Sequence, residues 1–285
     1  MSIYSIMKFS PDLKIKINII ILACLVVFSV LFFLQLYISN DTNIKAQQYL
    51  ENIYKNSKVL QTEFPIWINP KFTTETENSI FIIRDILDAD FFAHLRTSFE
   101  NKTFDSMNYG MRKGNGINFI QLHQSEDYSG VLELYYSNTF LETVSSIIGK
   151  PVQRTPLSDP NAESMLIYVN EGDHIDWHKD YSNYYGDRYV GLITLVNENA
   201  DKTGLSAGAF QYKIEDKEYA MKMPENSFMI FKGSEIVHRG TPILPGEKRI
   251  LISMVFCDIC QPNTNIFSAI YEKIKNYVVY GTDSK

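Results

Sequence analysis

Cysteines are few in this sequence, and their scarcity limits the kinds of metal or disulfide site that it can hold. Only three occur in 285 residues, too few for the disulfide framework of a small secreted domain. Cys257 and Cys260 form a CxxC pair, but a zinc site needs a second such pair and only Cys24 remains. A local disulfide and two ordinary buried thiols both stay open for this pair.

Basic residues are not in excess either. The formal net charge is −6, and no segment is strongly basic. Proteins that bind nucleic acid present clustered lysines and arginines on one face, so we expect no nucleic-acid partner. No internal repeat is evident, and a content of 45% hydrophobic and 13% aromatic residues is typical of a globular protein.

One long uncharged run, Ile17–Ile38, lies near the N-terminus. About twenty apolar residues suffice for a helix to cross a bilayer, whereas a cleaved signal peptide has a shorter apolar region and a small-residue cleavage site. The lysines before the run, which favour a cytoplasmic N-terminus, are Lys8, Lys14 and Lys16. We therefore expect a cytoplasmic tail over 1–16, a single-pass signal anchor over 17–38, and the rest of the chain in a lumenal or extracytoplasmic space. A signal peptide and a buried helix are the alternatives.

The remaining chain predicts a stalk or linker over 39–78, with a short helix in Asp41–Gln61, and then one domain over 79–285. Apolar residues at helical spacing predict helices from Asp88 or Asp90 to Phe99, over Val131–Ile148 and over Thr264–Tyr280. Short apolar runs between turn residues predict strands at Ser79–Ile83, Met165–Val169, Val190–Val196, Ala209–Ile214, Phe228–Phe231 and Ile250–Phe256. Many short strands with irregular turns suit a barrel or a sandwich.

A candidate metal site begins with His178 and Asp180. In an extended strand, residues two apart point to the same face, so an imidazole and a carboxylate can reach one ion. Two histidines and one carboxylate on one face of a metal are typical of non-haem Fe(II) oxygenases. The third ligand should be a histidine near a later strand, and His238 fits. His174 and Asp176 form a second HxD pair of the same parity, which strand geometry alone does not distinguish from the first.

Arg249 follows His238 by eleven residues and opens an apolar run. If this residue, Arg249, is buried there, its planar guanidinium would suit a carboxylate ligand. Lys248 is the adjacent alternative, but the register of the run favours Arg249. In that register Ser253 lies four residues further along the same face.

These residues resemble the Fe(II)/2-oxoglutarate-dependent dioxygenases, in particular the prolyl-4-hydroxylase-like branch. The resemblance extends from about Ser79 onward and is densest between Tyr168 and Phe256. Its ordered motif is Tyr168, Gly172, His178-Lys179-Asp180, Gly208-Ala209-Phe210, His238 and Gly246-Glu247-Lys248-Arg249. The spacing from Tyr168 and Gly172 also favours His178 and Asp180 over the competing pair.

The resemblance implies a mainly β fold with flanking helices, built as a double-stranded β-helix, which is a cupin-like jelly roll. It implies that His178, Asp180 and His238 are catalytic and hold Fe(II). It further implies O2 as a cosubstrate and ascorbate as a further candidate cofactor. Because relatives that halogenate lack the carboxylate, Asp180 predicts hydroxylation of a C–H bond.

For the cosubstrate, the resemblance implies that Arg249 pairs with the distal carboxylate of 2-oxoglutarate, helped by Ser253 and by Tyr168. Family analogy favours a prolyl residue in a peptide or protein as substrate, while a lipid, a glycan and a small metabolite are alternatives. Four tyrosines after the motif could line a peptide groove or belong to an ordinary loop: Tyr181, Tyr184, Tyr185 and Tyr189. A non-catalytic, membrane-tethered β-helix binding module is the alternative from another class, and the oligomeric state stays open.

Overall fold

The computed structural model describes residues 19–33, 44, 47–48, 51 and 68–262, apart from 101, 105, 107, 109, 157–158, 160 and 183. The chain divides into two compact units between Ile44 and Lys45, and each unit is described by itself. The predicted tail over 1–16 and the predicted helix Thr264–Tyr280 lie outside the described residues, as does most of the predicted stalk helix.

In the first unit, residues 19–33 form a helix with exposed side chains. Within the described residues, no helix combines the length and the apolar character needed to cross a membrane. The predicted anchor over 17–38 extends past this helix at both ends, into residues that are not described, and it stays a prediction.

Antiparallel strands dominate the second unit. They are β1 (Thr73–Glu77), β2 (Ile80–Arg84), β3 (Arg112–Lys113), β4 (Asn115–Ile117), β5 (Gln153–Arg154), β6 (Glu163–Tyr168), β7 (His174–His178), β8 (Arg188–Glu198), β9 (Phe210–Ile214), β10 (Lys217–Met221), β11 (Phe228–Lys232), β12 (Val237–Gly240) and β13 (Lys248–Cys257). The larger sheet has the order β1-β2-β11-β8-β13-β6-β4, with β5 also paired to β13. The smaller sheet has the order β10-β9-β12-β7-β3. This pairing gives the jelly-roll-like, mainly β architecture that the sequence predicts.

The predicted strands are present with small changes at their ends. The largest change is in β8, which begins two residues earlier and ends two residues later than predicted. Strand β1 lies in the segment predicted to be a linker over 39–78, where it pairs with β2 along its whole length. All five of its residues are exposed, so the burial pattern that predicts a strand is missing there.

Between residues 68 and 262 this unit has the α-helices α1 (Ala89–Glu100), α2 (Phe119–Gln124), α3 (Ser129–Tyr136) and α4 (Asn138–Ile148). The prediction of one continuous helix over Val131–Ile148 is wrong. Ser137 ends α3 through a bond from its amide to the carbonyl of Leu134, and its side chain then accepts from the amide of Phe140 to cap α4. A serine can therefore separate two helices without interrupting the apolar stripe that they share.

The two faces of the larger sheet have different roles because side chains alternate along each strand. On β6, Met165 and Ile167 are buried in the main hydrophobic core. Phe228 and Phe256 of the same sheet pack against Phe140 of α4, with ring centroids 5.5 and 6.2 Å apart. The opposite face of the larger sheet carries the residues that line a cavity.

A polar pair is buried in the hydrophobic core, on the side away from the cavity. Glu163 of β6 is fully buried, and its carboxylate lies 3.4 Å from Nε2 of His123 in α2. Burial raises the pKa of Glu163 well above its ordinary value. Burial likewise lowers the pKa of His123 to about 4, against the opposing effect of its hydrogen bond to the carbonyl of Phe119. The distance would allow an ion pair, but desolvation of both groups favours a protonated Glu163 beside an uncharged His123.

This pair predicts that Glu163→Gln increases stability at high pH. In wild type, the unfolded chain releases the Glu163 proton above about pH 4.3, whereas the folded chain retains it, so stability falls as the pH rises through that range. Glutamine removes this dependence. We expect the variant to gain about 1–3 kcal/mol in the free energy of unfolding at pH 8 and much less at pH 5.

Denaturant unfolding at the two pH values measures the difference. Glu142→Gln is the matched control, since Glu142 is exposed on α4 and should give no gain at either pH. An equal effect of Glu163→Gln at pH 5 and pH 8 would contradict a protonated Glu163.

Candidate metal centre and cavity

A cavity of about 100 Å³ lies between the facing surfaces of the two sheets. Alternate residues of three neighbouring strands in the larger sheet line it. These are Ser164, Leu166 and Tyr168 of β6, Arg188, Val190 and Leu192 of β8, and Arg249, Leu251, Ser253 and Val255 of β13. The smaller sheet adds Ile175, His178, Phe210, His238 and Gly240.

Three candidate metal ligands meet in this cavity. His178 ends β7 and is paired directly with His238 of β12, so that their ring centroids lie 4.2 Å apart. Asp180 places one carboxylate oxygen 3.9 Å from Nε2 of His178 and the other 3.4 Å from Nε2 of His238. The potential ligand atoms of all three residues lie within 4.8 Å of one another. The spacing suits a single ion bound by all three.

The backbone fixes the orientation of each of these side chains. Nδ1 of His178 lies 2.7 Å from the carbonyl of Asp176, and Nδ1 of His238 lies 3.1 Å from the carbonyl of Ile236. These contacts turn each Nε2 toward Asp180, which is the orientation in which a metal-binding histidine can offer its Nε2 lone pair to an ion.

Asp180 is held close to the strand beside it. Its amide donates to the carbonyl of Gly233 at 3.0 Å. A Cβ atom at Gly233 would lie only 2.6 Å from Cβ of Asp180, so only glycine leaves room for this approach.

The carboxyl group of Asp180 is ionised. Burial by itself would raise its pKa, but the hydrogen bond from His238 and the nearby positive charges of the two histidines and Arg188 lower that pKa far below its usual value. An anionic oxygen ligand beside two imidazole nitrogens is a donor set that binds divalent first-row transition metals. The cluster therefore has the chemistry of a metal site as well as its spacing.

A bulge in β7 separates the two HxD pairs that strand periodicity alone does not distinguish. His178 pairs with His238, but Gly240, two residues further along β12, pairs with Ile175, three residues back along β7. The extra residue breaks the alternation, so both Ile175 and His178 line the cavity while His174 and Asp176 do not.

The competing pair has its own local contacts. Nδ1 of His174 lies 2.6 Å from the carbonyl of Gly172, and Nε2 lies 3.7 Å from a carboxylate oxygen of Asp176. More than half of the Asp176 side chain is exposed. His174 and Asp176 therefore contact each other and the local backbone, and they lie outside the cavity lining.

The far end of the cavity holds a buried cation. Arg249 is 2% exposed and is paired with Tyr168 across β13 and β6. Burial lowers the pKa of its guanidinium, partly opposed by Tyr168. In the described part of the chain, neither Nε of Arg249 nor the hydroxyl of Tyr168 has a hydrogen-bond partner. Ser253 lines the same wall, whereas Lys248 does not line the cavity.

Three further arginines of the cavity lining were not identified from the sequence: Arg112, Arg188 and Arg239. Arg188 is 4% exposed and begins β8, and its side chain lies on the same face of the strand as those of Val190 and Leu192. Extending the alternation of that predicted strand backward by two residues could have found it. Arg112 is 6% exposed in β3, within a stretch that has no clean sequence period.

The four tyrosines after the HxD motif do not form a groove at the cavity. Tyr181 and Tyr185 are exposed, Tyr184 and Tyr189 are buried, and none of them lines the cavity. The hydroxyl of Tyr184 donates to the buried carboxylate of Asp159 at 2.8 Å. These residues support the loop interpretation.

Close by, Cys257 and Cys260 at the end of β13 are joined as a disulfide.

Comparison of the sequence with protein families and with curated proteins finds no match. Comparison of the structure finds an oxidoreductase of the 2OG-Fe(II) oxygenase family from Burkholderia pseudomallei, with a TM-score of 0.51 and 9% identity over 66% of this chain and 90% of that one.

Two prolyl hydroxylases are also similar in structure. The enzyme from Trichoplax adhaerens, in complex with a peptide of hypoxia inducible factor, has a TM-score of 0.48 and 14% identity over 64% of this chain and 84% of that one. The enzyme from Pseudomonas putida has a TM-score of 0.44 and 12% identity over 64% and 92%. The likeness to the Burkholderia pseudomallei protein, at 9% identity, concerns the fold alone: the part of this chain that it covers has the fold of a 2OG-Fe(II) oxygenase.

Proposed function

We propose that this protein is an Fe(II)- and 2-oxoglutarate-dependent dioxygenase that hydroxylates a C–H bond. The observation that carries the proposal is the meeting of His178, Asp180 and His238 inside a cavity whose other end holds the buried Arg249. A structural metal site would use the three ligands but would give no role to a buried arginine that has no carboxylate partner in the described part of the chain.

The three ligands fit the metal. His178, Asp180 and His238 would hold Fe(II) on one face and leave the other positions open for small ligands. The ionised Asp180 and two uncharged imidazoles are the protonation states that binding needs. With Fe(II) bound, the site would use O2 and 2-oxoglutarate to hydroxylate the C–H bond: one oxygen atom would enter the hydroxyl group and the other succinate, with release of CO2.

The protein positions the cosubstrate and keeps its site dry. Arg249 would bind the distal carboxylate of 2-oxoglutarate with two parallel N–H donors, and the hydroxyls of Tyr168 and Ser253 lie on the same cavity wall. Because Arg249 is 2% exposed, the pairing would form out of water, where a charge-assisted hydrogen bond is strongest. Leu166, Leu251 and Val255 make part of the lining apolar and so exclude water from the same space.

The proposal extends to the substrate and the membrane. The sequence resemblance between Tyr168 and Phe256 favours a prolyl residue of a peptide or protein over a lipid, a glycan or a small metabolite. The uncharged run Ile17–Ile38 supports a type II membrane anchor, with the catalytic domain in a lumenal or extracytoplasmic space.

The metal site predicts that His178→Ala strongly weakens Fe(II) binding, whereas His174→Ala leaves it unchanged. The two histidines lie in the same strand and in equivalent HxD motifs, which makes the second a matched control. Loss of one of three ligands should weaken Fe(II) affinity by at least about 100-fold, more than the 10–100-fold typical of losing an outer-shell partner. Anaerobic titration with Fe(II) measures the affinity, and equal losses in both variants would show that the bulge does not select the ligands.

The cosubstrate site predicts that Arg249→Gln weakens 2-oxoglutarate binding. Removing a charge-assisted bond to a buried carboxylate should reduce the affinity by about tenfold to 100-fold. The visible charge-transfer band of the Fe(II)–2-oxoglutarate complex, recorded without oxygen, reports the affinity. Lys248→Gln is the neighbouring control and should bind 2-oxoglutarate as tightly as wild type. If Lys248→Gln is the weaker binder, the register assigned to β13 is wrong.

The enzyme and the binding-module hypotheses differ in turnover. We expect the Fe(II)-loaded chain to form succinate from 2-oxoglutarate in the presence of oxygen, and a peptide that contains proline to accelerate this reaction. The measurement is succinate formed with and without the peptide, with His178→Ala as the inactive reference. A chain that forms the charge-transfer complex but no succinate would be a binding module.

A further inference from the structure

Arg112 is a buried cation beside the cosubstrate end of the cavity. It lies in β3, is 6% exposed and belongs to the cavity lining. Its Nη2 donates to the carbonyl of Asn115 at 2.6 Å, and the guanidinium carbon lies 5.8 Å from the centroid of the Tyr168 ring. Its Nε has no hydrogen-bond partner among the described residues.

No carboxylate within the described residues offsets this charge. Asp180 is the one carboxylate of the described cavity lining, and it belongs to the metal cluster. Arg112 is paired with Ile175, three residues before His178 on β7, so it lies roughly 10 Å from that cluster along the strand. Burial of an unpaired cation is unfavourable, and such a group is expected to meet an anionic ligand.

Arg112 and Arg249 approach the same end of the cavity from different sheets. Arg249 is paired with Tyr168, whose ring lies beneath Arg112. Ile175, the partner of Arg112, is also paired with Gly240, and a Cβ atom at Gly240 would lie 3.6 Å from Nη1 of Arg249. The two guanidiniums therefore lie on two sides of one small space.

Among the described residues around that space, three buried donor groups have no hydrogen-bond partner: Nε of Arg112, Nε of Arg249 and the hydroxyl of Tyr168. A single carboxylate has two oxygens with about four acceptor positions, enough for two guanidiniums and a phenol. We propose that Arg112 is a second cosubstrate-binding arginine, which holds the distal carboxylate of 2-oxoglutarate together with Arg249 and Tyr168. This assignment rests on the proposed function and makes the site selective for 2-oxo acids that carry a second carboxylate.

The test measures binding rather than turnover. The full chain is loaded with Fe(II) without oxygen, and the charge-transfer band is titrated with 2-oxoglutarate and with 2-oxobutyrate, which lacks the distal carboxylate. We expect Arg112→Gln to weaken 2-oxoglutarate binding by about tenfold or more and to leave 2-oxobutyrate binding unchanged. Arg112→Lys, which keeps the charge but not the planar fork, should recover part of the loss.

Lys113→Gln is the matched control, because Lys113 is the neighbouring cation of β3 and its exposed side chain donates to the carbonyl of Glu171. It should bind both ligands as wild type does. If Arg112→Gln weakens both ligands equally and also lowers the free energy of unfolding, Arg112 only supports the β3–β4 connection and the proposal is overturned.

Two further outcomes separate this inference from the proposed function. If wild type shows the band and Arg112→Gln binds 2-oxoglutarate with the same affinity, Arg112 does not bind the cosubstrate. The dioxygenase proposal then still stands. A folded, Fe(II)-loaded wild type that shows no band with 2-oxoglutarate rejects the dioxygenase proposal and this inference with it.

Discussion

The pairing of β7 with β12 is the constraint on which the candidate site depends. It sets His178 directly opposite His238, and the bulge beside this pair decides which residues of β7 reach the cavity. Asp180 then follows from the end of β7, where the bond from its amide to Gly233 holds it against the larger sheet. A regular strand with the same sequence would present His174, Asp176 and His178 on one face, and strand geometry would then not separate the two HxD pairs.

The larger sheet separates two electrostatic environments. On the core face, Glu163 and His123 are buried together and both are held uncharged by desolvation. On the cavity face, the pKa of Asp180 is lowered by its neighbours and Arg249 remains a buried cation. Strand β6 contributes to both, through Glu163 on one face and Tyr168 on the other. The cavity face is the one where a bound ion or anionic ligand could offset these charges.

Much of the candidate site could be predicted from the sequence because it depends on local order along the chain. The ligand pair His178 and Asp180, the later His238 and the arginine that opens β13 are all readable from spacing. Helix α1 could likewise be placed from its apolar spacing and from Asp88, which accepts from the amide of Asp90 at its start. The break at Ser137 was missed because the apolar stripe continues across it.

By itself, the sequence determined the strand-rich architecture, the candidate ligands and the order in which they occur, since apolar periodicity and motif spacing are properties of neighbouring residues. Strand periodicity could not distinguish the two HxD pairs, although the motif spacing favoured His178 and Asp180; the tertiary structure brings that pair into the cavity through a bulge that is defined by the pairing of β7 with β12. It also placed Arg112 near Arg249, although 137 positions separate them in the sequence. Contacts between distant strands depend on register and sheet order, which no local pattern specifies.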